Sequence, residues 1–401
     1  MDILKNKLPL AEQRRLLHQC VTQELSLGEV LFQKGLTYDA LRYEDYPDIE
    51  HTVKTSERLD DIEKSEPLFP AISFFSGAGG MDIGFAYAGF ENMASIECNE
   101  VFCSTLRLNN SNKKVIGPPT HQGDVRNHET IAAELEQIIG TVKPFDGVFH
   151  GGPPCQSFSV AANQRFTKES DRFKRQGFND EEKGELIFDY LWYIKQFKPS
   201  VFLIENVAGI ADCDDDGKVK KALDDLATCG YSISNPYIVN ATYYGVPQNR
   251  MRWIIIGNRI GANICFPLPN DKVTACFDTF RHPLKNMKNH QTREHSAESI
   301  SRYMTLRYGC RDKLGRVDRL NPCLPSKTVI AGGTKGGGRS HLHPYSPRTL
   351  SVRESARLQT FPDSYVFTGA TARQFTQVGN AVPPLLAYKI ASEIRNKLRR
   401  A

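Results

Sequence analysis

The sequence predicts an α/β protein built on a doubly wound, mostly parallel sheet. Short apolar runs alternate with amphipathic stretches, and this alternation is typical of βαβ units. The apolar runs have the length of buried strands and lie at residues 71–75, 93–96, 147–150, 201–204 and 253–256. Helical patterns return at residues 351–358 and 384–398, so we expect the C-terminal segment to complete the same domain.

Changes in this rhythm divide the chain into four predicted segments. Residues 1–67 are polar, with leucines at helical spacing, and are predicted to form an N-terminal helical extension. Residues 68–257 form the α/β domain, and residues 347–401 complete it. Residues 258–346 lose the alternation and are rich in glycine, proline and basic side chains, which predicts a small irregular domain inserted between them.

Positive charge is concentrated in that inserted segment. The net charge of the 401-residue chain is +5, but residues 258–346 contain 15 Lys and Arg against 6 Asp and Glu, a local charge of +9. Residues 1–70 contain 9 Lys and Arg against 14 Asp and Glu, a local charge of −5. A basic segment that also carries Tyr, His and Gly favours contact with a nucleic acid over a merely solvated surface.

The composition predicts a cytoplasmic protein. The chain is 40% hydrophobic and 24% charged, no apolar run reaches the roughly 20 residues that span a bilayer, and the N-terminus lacks the profile of a signal peptide. The 10 cysteines include no CxxC pair. We therefore expect reduced thiols and no metal site.

Polar groups follow three of the predicted strands. A glycine-rich turn at residues 75–80 joins the first strand to a helix, as in sites where the backbone approaches a ligand closely. Glu97 ends the next strand, where a carboxylate can accept hydrogen bonds from ribose hydroxyls. Asp124 and Val125 come later and can meet an adenine. These positions predict a nucleoside-containing cofactor, without separating a dinucleotide from S-adenosylmethionine.

Cys155 is the candidate nucleophile. Gly-Gly-Pro-Pro precedes it at residues 151–154, after an apolar strand, and prolines restrict the backbone where a reactive group must be aimed. A lone cysteine in a tight turn is more often a buried structural residue. The setting of Cys155 instead favours a thiolate at the carboxyl edge of the sheet.

Three charged residues are candidates to act with Cys155. Glu205 ends a nearly all-apolar strand and could donate a proton to a ring nitrogen. Taken singly, a structural carboxylate that caps the next turn is an equal alternative. Arg250 and Arg252 lie two residues apart on one side of a strand and could bind a phosphate or a base carbonyl, with a surface salt bridge as the alternative.

In this order along the chain, the segments resemble the cytosine-C5 DNA methyltransferases of bacterial restriction–modification systems. The resemblance covers roughly residues 71–257 and 347–395. Six motifs carry it: FSGAG at 75–79, GPPCQS at 152–157, ENV at 205–207, QNRMR at 248–252, RESARLQ at 353–359 and QVGNAV at 377–382. It implies the α/β fold of S-adenosylmethionine-dependent methyltransferases.

The resemblance assigns S-adenosylmethionine to a defined set of residues. Glu97 would hold the ribose, Asp124 the adenine amino group, and Asn380 with its neighbours the methionine end. The complete set is Phe75, Ser76, Gly77, Gly79, Gly80, Glu97, Cys98, Asp124, Val125, Pro153, Leu186, Asn380, Ala381 and Val382. Cys98 stands where an apolar or aromatic residue is usual, and Ala381 where a hydroxyl is common, so we expect at most a change in affinity.

The resemblance also implies the reaction and its partners. Cys155 would add to C6 of a cytosine, while Glu205 and Arg252, with Arg250 beside them, hold the base edge. The base must leave the duplex to be attacked, so double-stranded DNA is the expected partner. A monomer suffices for this chemistry, and a cognate restriction endonuclease acting on the same site is expected without direct contact.

Segments outside the motifs also carry predictions. Residues 159–184 contain six basic side chains and are predicted to form a lid over the DNA backbone; these are Arg165, Lys168, Arg172, Lys174, Arg175 and Lys183. Residues 258–346 are predicted to recognise the target sequence, with glycines at 332–338 that permit close backbone approach. Residues 31–41 faintly resemble a helix-turn-helix, but the negative charge of the extension favours a helical packing role.

Other functions remain open at this point. The branch of the family that methylates tRNA shares the catalytic motifs, although a long basic recognition segment favours DNA. An inactive DNA-binding regulator would not need Cys155, Glu205 and Arg252 together. A nicotinamide dehydrogenase could use the glycine-rich turn, but it would have no use for the Pro-Pro-Cys motif.

Overall fold

The computed structural model divides the chain into two compact units. It describes residues 7–45, 57–111, 114–140, 143–154, 186–210, 217–281, 284, 287–331 and 341–400. The large-sheet unit comprises residues 58–244, 250–271 and 381–401. The small-sheet unit comprises residues 1–57, 245–249 and 272–380.

Helices and strands are present in both units. The described α-helices are α1 (Leu10–Thr22), α2 (Leu27–Gln33), α3 (Gly80–Tyr87), α4 (Glu100–Asn109), α5 (His128–Ile139), α6 (Leu186–Phe197), α7 (Lys218–Thr228), α8 (Phe277–Arg281), α9 (Ala297–Tyr303), α10 (Val352–Leu358), α11 (Thr371–Asn380) and α12 (Pro384–Leu398). The described strands are β1 (Phe69–Phe74), β2 (Phe90–Ile96), β3 (Lys114–Ile116), β4 (Val148–Gly151), β5 (Val201–Val207), β6 (Ser232–Ile233), β7 (Tyr237–Asn240), β8 (Met251–Asn258), β9 (Arg311–Asp312), β10 (Val317–Arg319) and β11 (His341–Leu342). A helix with the length and apolar character of a membrane span does not occur among these described residues.

The large sheet has the strand order β3-β2-β1-β4-β5-β8-β6, and β7 also pairs with β8. Its pairs from β3 to β5 are parallel. Strand β8 runs antiparallel to β5, β6 and β7. Because β1 is central and later strands are added on both of its sides, the sheet is doubly wound. The predicted fold class is confirmed.

Helices cover both faces of the large sheet, since neighbouring residues of a strand point to opposite faces. On β4, Phe149 belongs to the core formed with α5, α6 and α7. The next residue, His150, stacks its ring on Phe85 of α3 at 4.1 Å between centroids. Helix α12 packs on α3 at this second face. The contact is close at Gly84, where an added Cβ would lie 2.5 Å from the Cβ of Ala387.

Each predicted strand of the large sheet is present, with different ends. The apolar runs correspond to β1, β2, β4, β5 and β8, and the predicted helices 351–358 and 384–398 correspond to α10 and α12. The apolar pattern does not predict β3, β6 and β7, because strands of 3, 2 and 4 residues are too short to show it. It also carries no information on the antiparallel direction of β8.

The small-sheet unit combines parts of all four predicted segments. Strand β10 pairs with β9 antiparallel and with β11 parallel. Helices α1 and α2 of the N-terminal extension share one hydrophobic core with α9, β10 and β11. Helices α10 and α11, from the predicted C-terminal segment, also belong to this unit. The compact units therefore cut across the four predicted segments, because sequence order does not disclose which buried faces meet.

Candidate active site

The turn after β1 has the backbone that its glycines predict. Gly77 and Gly79 have φ values of +56° and +77°, in the left-handed region that glycine adopts without strain. Phe75 is also left-handed, with φ +53°, and its side chain packs on the core of the large sheet. Helix α3 begins directly after Gly79, so backbone N–H groups of its first turn lie at this end of the sheet.

Glu97 lies at the end of β2 and is tied to this turn. Its Oε2 accepts a hydrogen bond from the Gly77 N–H at 2.8 Å, and its Oε1 accepts one from the Asn99 N–H at 2.7 Å. Burial raises the pKa of Glu97, and these two donors oppose the rise. The predicted ribose-binding carboxylate is therefore held in one orientation beside the glycine turn.

Asp124 is brought close to Glu97 by glycine packing. An added Cβ at Gly123 would lie 2.1 Å from the Glu97 carbonyl oxygen, so only glycine permits this approach. Arg126 donates to both oxygens of Asp124, with Nη2 to Oδ2 at 2.6 Å and Nε to Oδ1 at 3.0 Å. These hydrogen bonds lower the pKa of Asp124. Sequence reasoning did not single out Arg126.

Apolar and weakly polar groups adjoin these carboxylates. Val125 is buried, and its carbonyl accepts a hydrogen bond from the Tyr193 hydroxyl at 2.8 Å. Leu186, at the start of α6, packs on the same core as Phe75. Partial burial, and then the charges of Glu97 and Asp124, raise the pKa of Cys98 to about 11. Cys98 is therefore a neutral thiol near neutral pH.

The segment after α11 reaches the start of α3. An added Cβ at Gly80 would lie 2.2 Å from the Val382 carbonyl oxygen and 3.2 Å from the Ala381 Cβ. Ala381 and Val382 thus lie against the glycine turn, as the cofactor prediction requires. Asn380 is exposed at the end of α11 in the small-sheet unit, and its predicted closure over the methionine end stays a prediction.

Glu205 and Arg252 form the charged pair at the chemical end. Arg252 Nε lies 2.6 Å from Glu205 Oε1, and both side chains are 11% exposed. The pair is possible because Arg252 lies opposite Val207 in the antiparallel β5–β8 ladder, diagonal to Glu205 on the same face. An added Cβ at Gly152 would lie 2.9 Å from Glu205 Oε2. The pair therefore adjoins the Gly-Pro-Pro segment, in which Pro153 is buried.

Arg250 has a different environment from Arg252. It is 1% exposed, its Nη2 donates to the Ala381 carbonyl at 2.8 Å, and its backbone N–H donates to Asn240 Oδ1 at 2.9 Å. Burial, and then the charge of Arg252, lower the pKa of Arg250 well below its ordinary value. The expected role beside the base edge stays a prediction. Through these two contacts Arg250 joins the start of β8 to the cofactor segment.

Asp82 was missed by sequence reasoning. This carboxylate is 4% exposed and accepts hydrogen bonds from the hydroxyls of Ser73 on β1 and Ser95 on β2, each at 2.6 Å. The Ser76 hydroxyl donates to Ser73 Oγ at 2.8 Å, so Asp82 orders the glycine turn through the two serines. A single acidic residue in an otherwise apolar helix was the available signal.

Several predictions concern residues outside the described ranges. Cys155 itself, the basic segment 159–184 and the glycines at 332–338 all fall there. The described part of the large-sheet unit brings the remaining site residues of that unit to one edge of the sheet. They form two series of contacting residues. The first runs from Asp124 through Glu97, the glycine turn and Ala381 to Arg250. The second runs from Arg252 to Glu205 and Gly152.

Comparison with known proteins finds similarity to cytosine-specific DNA methylases and to Type II methyltransferases. The family model of C-5 cytosine-specific DNA methylases matches residues 69–396. The Type II methyltransferase M1.HphI of Haemophilus parahaemolyticus is 32% identical over 346 residues, covering 80% of this chain and 86% of that relative. The Type II methyltransferase M.NgoPII of Neisseria gonorrhoeae is 31% identical over 371 residues, covering 82% and 96%.

The fold of this chain is also similar to that of a solved structure, which is described as a DNA modification methyltransferase encoded within an Escherichia coli prophage. The TM-score is 0.66 at 26% identity, over 83% of this chain and 100% of that one.

The fold and the site define a methyltransferase of the doubly wound α/β class. The chain belongs to the C-5 cytosine-specific DNA methylase family and is a cytosine-C5 DNA methyltransferase of the Type II restriction–modification kind. The resemblance carried by the six sequence motifs is thereby confirmed.

Proposed function

We propose that this enzyme transfers a methyl group from S-adenosylmethionine to C5 of a flipped-out cytosine in a short specific duplex sequence, through a covalent bond between Cys155 and C6. The observation that carries the proposal is the buried Glu205–Arg252 pair beside Gly152. Gly152 lies three residues before Cys155 in the chain. An acid–base group and a fixed cation therefore adjoin the segment that leads into the nucleophile.

The residues present fit S-adenosylmethionine. The two oxygens of Glu97 each accept one backbone N–H, and a carboxylate offers about four lone-pair sites, so ribose hydroxyls can still bind. Asp124 would accept the adenine amino group, and the glycine turn with Ala381 and Val382 would hold the methionine end. When bound, the cofactor supplies an electrophilic methyl group to C5 of the base.

The chain's own residues account for the remaining chemistry. The Cys155 thiolate forms a bond to C6, and the electron pair of the C5–C6 double bond moves toward C5. Glu205 donates a proton to N3, which offsets the developing negative charge. Arg252 holds the Glu205 carboxyl in position. Water then takes the C5 proton and Glu205 takes back the N3 proton. The electron pair of the C5–H bond re-forms the C5–C6 double bond, which breaks the bond from sulfur to C6 and regenerates the thiolate.

Duplex DNA is the substrate in this proposal. Extracting a base from the stack costs a few kcal/mol, and contacts from the +9 segment at 258–346 would offset that cost. The biological role would be protection of host DNA in the cytoplasm from an endonuclease that cuts the same sequence. One monomer would modify one strand at a time.

A covalent trap tests the proposal directly. A fluorine atom at C5 takes the place of the proton that the reaction must remove, and fluorine cannot leave as a cation. The enzyme should therefore remain covalently bound through Cys155, after methylation, to amplified DNA that contains 5-fluorocytosine in place of cytosine. With S-adenosylmethionine present, we expect a protein–DNA band that survives denaturing electrophoresis. Cys155→Ala should give none.

Labelled methyl transfer to plasmid DNA and to bulk tRNA distinguishes the two substrates in parallel. We expect incorporation into DNA. Incorporation into tRNA alone, or a covalent band with Cys155→Ala, would overturn the proposal.

A further inference from the structure

The N-terminal extension lies outside the family match, which begins at residue 69, yet it completes the core of the small-sheet unit. From α1 and α2, Leu17, Leu27 and Leu31 are 3% exposed or less. They pack in one cluster with residues of α9 and β10, among them Ile300 and Val317. The segment 31–41, with its faint helix-turn-helix pattern, has both end residues buried in this cluster.

Hydroxyl and amine groups anchor the extension at separate points of the unit. The Tyr38 hydroxyl donates to the His295 carbonyl at 3.1 Å and accepts from the His295 N–H at 3.0 Å. The Tyr43 hydroxyl donates to the His343 carbonyl at 2.8 Å. Lys7 Nζ donates to Ser346 Oγ at 2.7 Å. These contacts hold the loops before α9 and after β11.

Two aspartates of the extension pair with buried arginines. Asp39 Oδ1 lies 2.7 Å from Nη2 of Arg348, whose side chain is 2% exposed. Asp45 Oδ1 lies 2.5 Å from Nη1 of Arg319, whose side chain is 1% exposed. The Arg319 guanidinium also lies over the Tyr43 ring, 3.5 Å from its centroid. A buried cation is costly unless it is paired, and the extension supplies one carboxylate to each of these two arginines.

Arg319 holds a strand that adjoins exposed basic groups, and Arg348 holds the start of α10. Arg319 ends β10, and the turn between β9 and β10 exposes Lys313 and Arg316. Arg348 also donates to both carboxylate oxygens of Glu354, at 2.8 and 2.7 Å. Glu354 closes the capping box of α10. The orientation of β10 and of α10 is therefore linked to the extension.

We propose that residues 7–45 are a positioning segment for target recognition, in which Asp39 and Asp45 hold Arg348 and Arg319 and thereby orient the basic turn at 313–316 toward duplex DNA. The proposal rests on the proposed function for the identity of the ligand. Two of the acidic residues of the extension, Asp39 and Asp45, thus act as counter-ions within the protein. The extension is neither a DNA-binding module nor a dispensable appendage.

Point variants of the full-length chain test this, since a deletion could simply unfold the unit. The variants are Asp39→Asn, Asp45→Asn and their combination, with Asp39→Glu as the conservative variant. Glu44→Gln is the matched control, because Glu44 pairs with Arg14 inside the extension, where the Arg14 side chain is 61% exposed. Steady-state transfer from labelled S-adenosylmethionine to plasmid DNA gives KM for each substrate, and hydrogen exchange reports on residues 297–304 and 317–319.

We expect the combined variant to raise KM for DNA about tenfold while KM for S-adenosylmethionine changes less than about twofold. Exchange should be faster in both reported segments. Asp39→Glu should restore much of the affinity, and Glu44→Gln should match the wild type. An equal rise in both KM values, or the same effect from Glu44→Gln, would overturn the proposal. Wild-type protein that methylates no DNA would count against the proposed function. In that case the positioning role is tested by hydrogen exchange alone, and unchanged hydrogen exchange in the combined variant would overturn it.

Discussion

Glu205 and Arg252 show how two residues far apart in sequence become one chemical group. The β5–β8 register puts them on one face, with Nε of Arg252 2.6 Å from Oε1 of Glu205. Glu205→Gln keeps the shape of the side chain and removes the proton that it would donate. We predict a fall in kcat of about 100-fold or more, measured as labelled methyl transfer at saturating substrates.

S-adenosylmethionine binding is the control for that variant, because the cofactor residues are untouched. The exposed Glu91→Gln on β2 serves as the matched variant. A Glu205→Gln enzyme within a few-fold of the wild-type kcat would show that the proton comes from elsewhere.

For the variant Glu97→Gln we predict weaker binding of S-adenosylmethionine rather than slower methyl transfer. Glutamine cannot accept from both the Gly77 N–H and the Asn99 N–H with equal strength, because one of its two ends is a donor. Losing charge-assisted hydrogen bonds at this position should raise KM for S-adenosylmethionine about 10- to 100-fold. Steady-state kinetics measure this, with Glu100→Gln at the exposed start of α4 as control. An unchanged KM would remove Glu97 from the cofactor site.

Arg250 marks what a motif cannot disclose at single positions. Its spacing from Arg252 predicts a shared face of a strand, but β8 begins at Met251, so Arg250 lies just before the strand. Its burial follows from the contact with Ala381, and residue 381 is distant in sequence. Asp82 is similar, since its role depends on two serines that only the β1–β2 pairing brings together.

Helices α3 and α12 depend on a glycine contact. An added Cβ at Gly84 would lie 2.5 Å from the Ala387 Cβ and from the Pro384 carbonyl oxygen. Gly84→Ala should therefore lower the free energy of unfolding by about 1–3 kcal/mol, read by thermal or denaturant unfolding. Gly28→Ala on α2 is a comparison with a smaller expected effect, because the nearest atom is the Tyr38 hydroxyl at 3.2 Å. Equal stabilities of the Gly84 variant and the wild type would contradict the close packing.

The apolar runs predict the main strands well for a physical reason. Parallel strands covered on both faces are apolar along their whole length, and β1, β4 and β5 are of this kind or nearly so. Strand β8 runs antiparallel to its neighbours, but it is also buried from Arg252 to Asn258. Short edge strands such as β6 carry no such signal. The helices α10 and α12 are predicted by amphipathic spacing, but this spacing carries no information on the compact unit to which α10 belongs.

His343, in the loop after β11, should make the stability of the folded protein depend on pH. Burial, and then the charge of Arg348, lower the pKa of His343 to about 3 from its ordinary 6.5. Its Nδ1 accepts hydrogen bonds from the N–H groups of Tyr345 and Ser346, both at 3.1 Å. The folded state thus resists protonation while the unfolded state accepts it. Stability is then fully present above pH 6.5 and falls as the pH is lowered toward 3.

His343→Asn tests this linkage, because asparagine retains an acceptor and does not titrate. We predict that the decline in melting temperature between pH 7 and pH 4.5 becomes shallower in this variant. His18→Asn on the exposed face of α1 is the control and should keep the wild-type slope. A steeper or unchanged slope in His343→Asn would exclude His343 as a source of the acid sensitivity.

The residues proposed for cofactor binding and catalysis and those proposed for target recognition lie mostly in different compact units. The described cofactor residues, apart from Asn380, and the Glu205–Arg252 pair belong to the large-sheet unit, and the described part of the +9 segment lies mostly in the small-sheet unit. Charge along the sequence predicts this division of roles. It does not predict that the acidic extension supplies counter-ions to buried arginines, because composition alone cannot separate an exposed charge from a paired buried one.

Bisulfite sequencing of plasmid DNA from cells that express the wild type or Cys155→Ala shows whether cytosine methylation depends on Cys155. We expect methylcytosine at one short repeated sequence with the wild type, and none with the variant. That result would also identify the target sequence. Equal methylation by Cys155→Ala, or none in either sample when both proteins are folded, would contradict a Cys155-dependent cytosine-C5 DNA methyltransferase.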